Sequence, residues 1–185
     1  MSVPTRRNIV EYMKRHVPDL IVIEDDGRGV MANHQRALRA SDTDSFILFE
    51  DDVLLTRGFI AKANAVIAER PDDIITFFSR RKADLTVGSR YMNPMEFYMC
   101  QCMYFPSWSG DLIADFHSTS PTLVKDPTGT DRVIAAWCKS QKRKIWVSVP
   151  SLVEHLHVAS AIDPRRSKNR QSVTFVDPEM DGYPL

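Results

Sequence analysis

The chain has 185 residues, with 24 Lys and Arg against 24 Asp and Glu, so its formal net charge at pH 7 is zero. That balance gives no global drive toward nucleic acid, and the length fits one domain able to bury roughly 70% of its extended surface. No apolar run approaches the ~20 residues needed to span a bilayer, and the first residues lack the apolar core of a secretory signal, so the expectation is a soluble, cytoplasmic protein. Cys100, Cys102 and Cys138 match neither zinc-ribbon nor Cys-x-x-Cys spacing and read as buried thiols in a reducing compartment.

In chain order, Pro4 and Thr5-Arg6-Arg7 open a helix through His16, with Ile9, Val10, Tyr12, Met13 and Val17 at helical spacing. Residues 20–23 are apolar and predict a strand, closed by Glu24-Asp25-Asp26 and the glycine loop that follows. Asn33 is placed to cap a helix through Arg39. Residues 46–49 predict a strand buried on both faces. Thr56 is placed to cap the next helix, which Pro71 breaks. A strand at 74–78, a basic loop at 79–82, a strand at 98–105 and a short helix at 110–116 come next. A Ser/Thr/Pro-rich loop at 117–127, an amphipathic helix at 131–142 and a strand at 145–149 complete the pattern. The alternation predicts a single α/β domain over 1–158, with a mixed, mostly parallel sheet flanked by helices. Residues 159–185 read as a basic tail that either wraps the site or stays flexible.

The most informative stretch is Phe46-Ile-Leu-Phe-Glu-Asp-Asp-Val-Leu-Leu55. Three carboxylates between two apolar segments are not a solvated acidic run, and carboxyl ends of buried strands are where open α/β sheets bind ligands. Clustered like charges need a cation among them, and oxygen ligands favour Mg²⁺ or Mn²⁺. The reading is a divalent metal that in turn holds a phosphate-bearing substrate; three surface carboxylates at a strand end are the plainer alternative. From Arg132 to Arg170 nine basic residues face only Glu154 and Asp163. That asymmetry fits a polyanion-facing surface or a solvated helix face plus tail.

Two passages carry a resemblance. Asn33-His-Gln-Arg-Ala-Leu38 ahead of the strand ending in Glu50-Asp51-Asp52, and Val149-Pro-Ser-Leu-Val-Glu-His155 about a hundred residues later, resemble small bacterial and phage nucleotide-sugar glycosyltransferases of the GT-A (Rossmann-like) fold. The resemblance implies transfer of a sugar from a nucleotide-sugar, UDP-sugar first, to an acceptor hydroxyl. Asp52 and His155 match the metal ligands of the Asp-x-Asp motif and the late histidine. Glu50, Asp51, His34, Arg36, Asp25, Asp26 and Arg6 match donor-contacting positions. Asp131, opening the 131–142 helix, matches the general base of inverting members. The first strand of that fold is barely present before Arg6, which leaves the base preference open.

Each assignment has a plainer counterpart. His155 also fits a satisfied histidine at a strand end, and Asp131 a helix cap that complements the dipole. Trp108 and Asp111 are candidate acceptor contacts, and Trp108 fits a core anchor equally well. The acceptor reads as a glycan, a lipid-linked sugar, a protein or a 5-hydroxymethyl-pyrimidine in DNA, which would have to be flipped or single-stranded. A two-carboxylate glycosidase needs acids well separated across a cleft, and adjacent acids argue against it. A non-catalytic nucleotide-sugar-binding module is the remaining alternative.

Overall fold

The computed structural model describes residues 7–40, 44–97, 99–120, 129–156 and 170–183. Its elements are helices α1 (Arg7–His16) and α2 (Val30–Leu38), strands β1 (Phe46–Phe49) and β2 (Val53–Leu55), helix α3 (Phe59–Glu69) and strand β3 (Ile75–Thr76). A one-turn helix α4 (Asp84–Val87), β4 (Arg90–Met92), a 3-10 turn (Pro94–Glu96) and β5 (Cys102–Phe105) follow. Then come α5 (Gly110–Thr119), α6 (Thr130–Ser140), β6 (Ile145–Val147) and β7 (Val153–His155).

The main sheet has the order β1-β5-β3-β6-β4, and β2 and β7 form a separate two-stranded ribbon. Strand β5 is buried on both faces along its whole length. Its period-2 alternation sends Cys102 and Tyr104 into one core and Met103 and Phe105 into the other. The first core is closed by Tyr12 and Met13 of α1, Phe59 and Ala63 of α3, and Val53, Leu55 and Val153 of the ribbon. The second is closed by Leu38 of α2, Ile113 of α5 and Val133, Ile134 and Trp137 of α6. The result is a mixed sheet with helices on both faces. Gly110 lets α5 start hard against α2: a Cβ there would stand 2.5 Å from the Leu38 carbonyl oxygen and 3.0 Å from the Phe46 ring.

Several expectations change. Among the described residues only the β3–β6 pairing is parallel; β1–β5, β5–β3 and β6–β4 are antiparallel, so the sheet is not mostly parallel. Strand β1 is half-buried rather than buried on both faces, because β5 is its one ladder partner among the described residues and its other edge lines a cleft. Residues 20–23 form no ladder strand: they line that cleft, and Ile21 is 67% exposed. Asn33 lies inside α2 rather than capping it, and Thr56 turns its hydroxyl to the Val176 and Asp177 carbonyls instead of to α3. Helix α5 extends to Thr119, into the stretch expected to be loop. All three cysteines are free and buried.

The described part of the tail is tied down. The Tyr12 hydroxyl accepts from the Leu55 amide at 3.1 Å and donates to the Glu179 carbonyl at 3.0 Å. The Glu179 amide returns a bond to the Leu55 carbonyl at 2.8 Å, and Tyr183 meets Tyr12 edge-on with ring centroids 5.5 Å apart. Residues 176–183 thus strap α1 to β2. No helix among the described residues is long and apolar enough to cross a membrane.

Candidate functional site

Strands β1, β3 and β6 run the same way, since β5 opposes both β1 and β3 while β3 parallels β6. Their carboxyl ends, together with the amino end of β5, therefore share one edge of the sheet. Onto that edge the chain delivers Glu50-Asp51-Asp52 after β1, Phe77 to Lys82 after β3, Met99-Cys100-Gln101 before β5, and the 148–155 stretch after β6. In open, mostly parallel α/β sheets the corresponding edge holds ligands.

Asp52 and His155 meet here. The ribbon pairs Val53 with His155, and the Leu156 amide donates to the Asp52 carbonyl at 2.8 Å, which brings the two side chains together. His155 Nε2 lies 3.4 Å from Asp52 Oδ2, and the residues are 1% and 5% exposed. Beyond that ion-pair contact of Nε2, neither ring nitrogen of His155 has a hydrogen-bond partner among the described residues. A buried imidazole in that state is costly unless a ligand meets it. Among the described residues no three His, Cys, Asp or Glu side chains converge as a ready-made metal centre. Asp52 and His155 could offer a cation two side-chain ligands, and the rest of its shell would have to come from outside the protein, as phosphate oxygens and water do for Mg²⁺-type ions.

Glu50 is gripped from two sides. Gln101 Nε2 donates to Oε2 at 3.1 Å, the Cys100 thiol donates to Oε1 at 3.3 Å, and the Glu50 amide donates to the Gln101 carbonyl at 2.9 Å. Burial first, and then the charge of Asp52, push its carboxyl up to about 7. Asp131 stands in the first turn of α6. Its Oδ2 accepts from the Met99 amide at 3.0 Å, and its Oδ1 from the Arg132 amide at 2.9 Å. Thr130, just before it, touches Cys100 Sγ at 3.2 Å through its hydroxyl. Glu50, Cys100, Thr130 and Asp131 thus form one connected group, with the positive end of the α6 dipole beside the carboxylates.

A cleft of about 370 Å³ opens next to the acids. It runs between Val10 and Met13 of α1, the 17–23 segment that follows that helix and the outer edge of β1, and Glu50 and Asp51 also line it. Its walls are mostly apolar, with carboxylates among them.

The other expected residues lie elsewhere or play other parts. Asp26 pairs with Arg28 at 2.6 Å and with Arg36 at 3.1 Å, and its hydrogen bond from Arg28 holds the carboxyl down at about 2. Arg36 also donates to the Glu24 carbonyl at 3.0 Å, pinning the segment after α1 to α2, while Asp25 accepts from the Gly27 amide in a local turn. His34 is buried; burial, and then His117, lower its pKa to about 4. Arg6 lies outside the described residues. Trp108 and Asp111 follow the carboxyl end of antiparallel β5, which puts them at the opposite edge of the sheet. There Trp108 stacks on Trp137 with centroids 5.8 Å apart and lies under the Arg143 guanidinium at 3.9 Å, as a core anchor. Asp111 is 63% exposed, with Arg39 at 4.0 Å. The basic turn Lys142-Arg143-Lys144 shares that far edge. Met99, Cys100, Gln101 and Thr130 were not among the expected site residues: the Cys-x-Cys pattern signals burial, and nothing in its spacing signals contact with Glu50.

No protein-family model matches the chain, and no curated protein matches it.

Proposed function

We propose that the chain is a metal-dependent glycosyltransferase of the GT-A kind, moving a hexosyl group from a nucleoside-diphosphate sugar, UDP-sugar first, to an acceptor hydroxyl. The observation that carries this reading is the buried Asp52–His155 pair, 3.4 Å apart, at the carboxyl edge of the sheet. Asp52 and His155 would hold Mn²⁺ or Mg²⁺; imidazole, the softer ligand, favours Mn²⁺. The bound ion supplies a Lewis acid that stabilises the departing diphosphate. Glu50 and Asp51 line the adjacent cleft, which gives the nucleoside an apolar wall to lie against. Asp131 takes the acceptor proton as the acceptor oxygen bonds to the sugar carbon and the bond to the diphosphate breaks. A base opposite the leaving group gives inversion.

Arg80 and Lys82 are exposed at the carboxyl edge, and Arg80 reaches the Met99 thioether at 3.8 Å. Arg80 and Asp131 share Met99 as a neighbour, and a cation there suits a phosphate-bearing acceptor, for which a 5-hydroxymethyl-pyrimidine in single-stranded or flipped DNA is the case to test first. The experiment is a screen of UDP-sugars for Mn²⁺-dependent hydrolysis, followed by the active donor against hydroxymethylated DNA, simple glycans and lipid-linked sugars. Transfer to any one of them, abolished by EDTA and in Asp52→Ala, is the expected result. Tight UDP-sugar binding with no turnover on any acceptor would instead indicate a binding module.

A further inference from the structure

The three residues ahead of β5 do something that the acid cluster and helix α6 cannot do for themselves. Met99 donates its amide to Asp131 Oδ2 at 3.0 Å, Cys100 touches both Glu50 Oε1 at 3.3 Å and Thr130 Oγ1 at 3.2 Å, and Gln101 donates to Glu50 Oε2 at 3.1 Å. Two groups separated by about eighty residues of chain are thereby held to one short bracket. Met99 adopts φ 79, a left-handed conformation that L residues avoid and that persists only where the surroundings impose it. That conformation turns the Met99 amide onto Asp131 while the next two side chains face Glu50.

We infer that Cys100 is a positioning residue, whose thiol sets the spacing between the acid cluster and Asp131. A thiol has one proton. When the thiol gives that proton to the Glu50 carboxylate, the Thr130 hydroxyl donates to the sulfur, and the bridge runs from α6 to the carboxylate. Cys100 is 2% exposed and burial raises its pKa well above the ordinary thiol value, so it stays protonated and keeps donating. The inference rests on the glycosyltransferase reading for its catalytic meaning, but the bracket itself can be examined without substrate.

The experiment compares Cys100→Ala and Cys100→Ser with the parent chain in two measurements. The first is hydrogen exchange of the Met99 amide by NMR, with no ligand present. Loss of the bridge in Cys100→Ala should release Asp131 and speed exchange of that amide about tenfold or more, and Cys100→Ser, which can still donate and accept, should restore protection. Unchanged Met99 exchange in Cys100→Ala would overturn the bracket, whatever the enzyme does. The second is steady-state transfer with the active UDP-sugar. Misplacing Asp131 relative to the donor should lower kcat about tenfold in Cys100→Ala with donor KM unchanged, and Cys100→Ser should recover most of that loss. A fall in thermal midpoint with kcat intact would reduce Cys100 to a packing residue. Absence of turnover in the parent chain would count against the glycosyltransferase reading and leave the exchange result standing.

Discussion

His34 shows how one buried side chain ties stability to pH. Its imidazole is 6% exposed, and burial lowers its pKa from 6.5 to about 4. The unfolded chain therefore takes up this proton first as pH falls. The contribution of neutral His34 is complete above pH ~6.5, declines between there and ~4, and amounts to about 3 kcal/mol once fully lost. His117, which burial also shifts down, works in the same direction. Between pH 7.5 and 5 protonation at His34 should weaken the folded state by about 2 kcal/mol, while Glu50, held up to about 7, works the other way in the same window. Urea denaturation should therefore show His34→Gln gaining about 2 kcal/mol on the parent between the two pH values, and a variant that keeps the parent's slope would contradict the assignment. Asp131 makes a catalytic prediction at the same scale. Asp131→Asn keeps an oxygen for the Met99 amide but cannot accept the acceptor's proton, so turnover should fall by ~10²–10⁴ with nucleotide affinity unchanged. Initial rates beside calorimetry check this, and full turnover in the variant would remove Asp131 as the base.

At the scale of elements, two contacts decide how the layers dock. Gly110→Ala puts a methyl group 2.5 Å from the Leu38 carbonyl, so α5 must shift off α2 at a cost of about 1–3 kcal/mol. Thermal unfolding should register a lower midpoint, and an unchanged one would mean that the close approach is absent. Tyr12→Phe removes the hydroxyl that accepts from the Leu55 amide and donates to Glu179. The stranded amide should cost about 1–3 kcal/mol and loosen the 176–183 strap, visible as faster proteolysis near the carboxyl end. An intact strap in that variant would deny Tyr12 this role. The sequence was legible where periodicity or an apolar run is long enough: α1, α3, α5, α6, β1, β5 and β6 all fall within or near their expected spans. It was silent on β2, β4 and β7, three residues each, because such strands exist only through their partners. Val53 to Leu55 becomes a strand by lying against residues 153–155, a hundred positions away. It misled at residues 20–23, where apolar character reports a place beside the cleft rather than in a ladder.

Over the whole molecule, strand direction decides which residues can act together. The Glu50-Asp51-Asp52 triplet and His155 were legible because three carboxylates and a histidine are chemically conspicuous at strand ends. That they meet depends on the β2–β7 ribbon, which the residue pattern does not reveal. Trp108 and Asp111 looked equally suitable from residue type, yet reversal of β5 sends them to the far edge, where Trp108 serves the core beneath Arg143. The basic run was misleading in the same way: Lys142, Arg143 and Lys144 follow α6 on that far edge, whereas α6 begins near Glu50. The separation predicts that Lys142→Glu with Lys144→Glu leaves UDP-sugar turnover within about twofold, because a Debye length of ~10 Å screens exposed charge across the sheet. Steady-state kinetics at 0.1 M salt measure this, and a tenfold loss would contradict it. The most direct test of the molecule's chemistry is pulsed electron paramagnetic resonance of the chain with Mn²⁺ and UDP. Nitrogen modulation from one imidazole, lost in His155→Ala and accompanied by loss of Mn²⁺ binding in Asp52→Ala, is the result expected. Mn²⁺ bound with no nitrogen signal, or bound equally well without Asp52, would contradict the assignment of this pair as the metal's protein ligands.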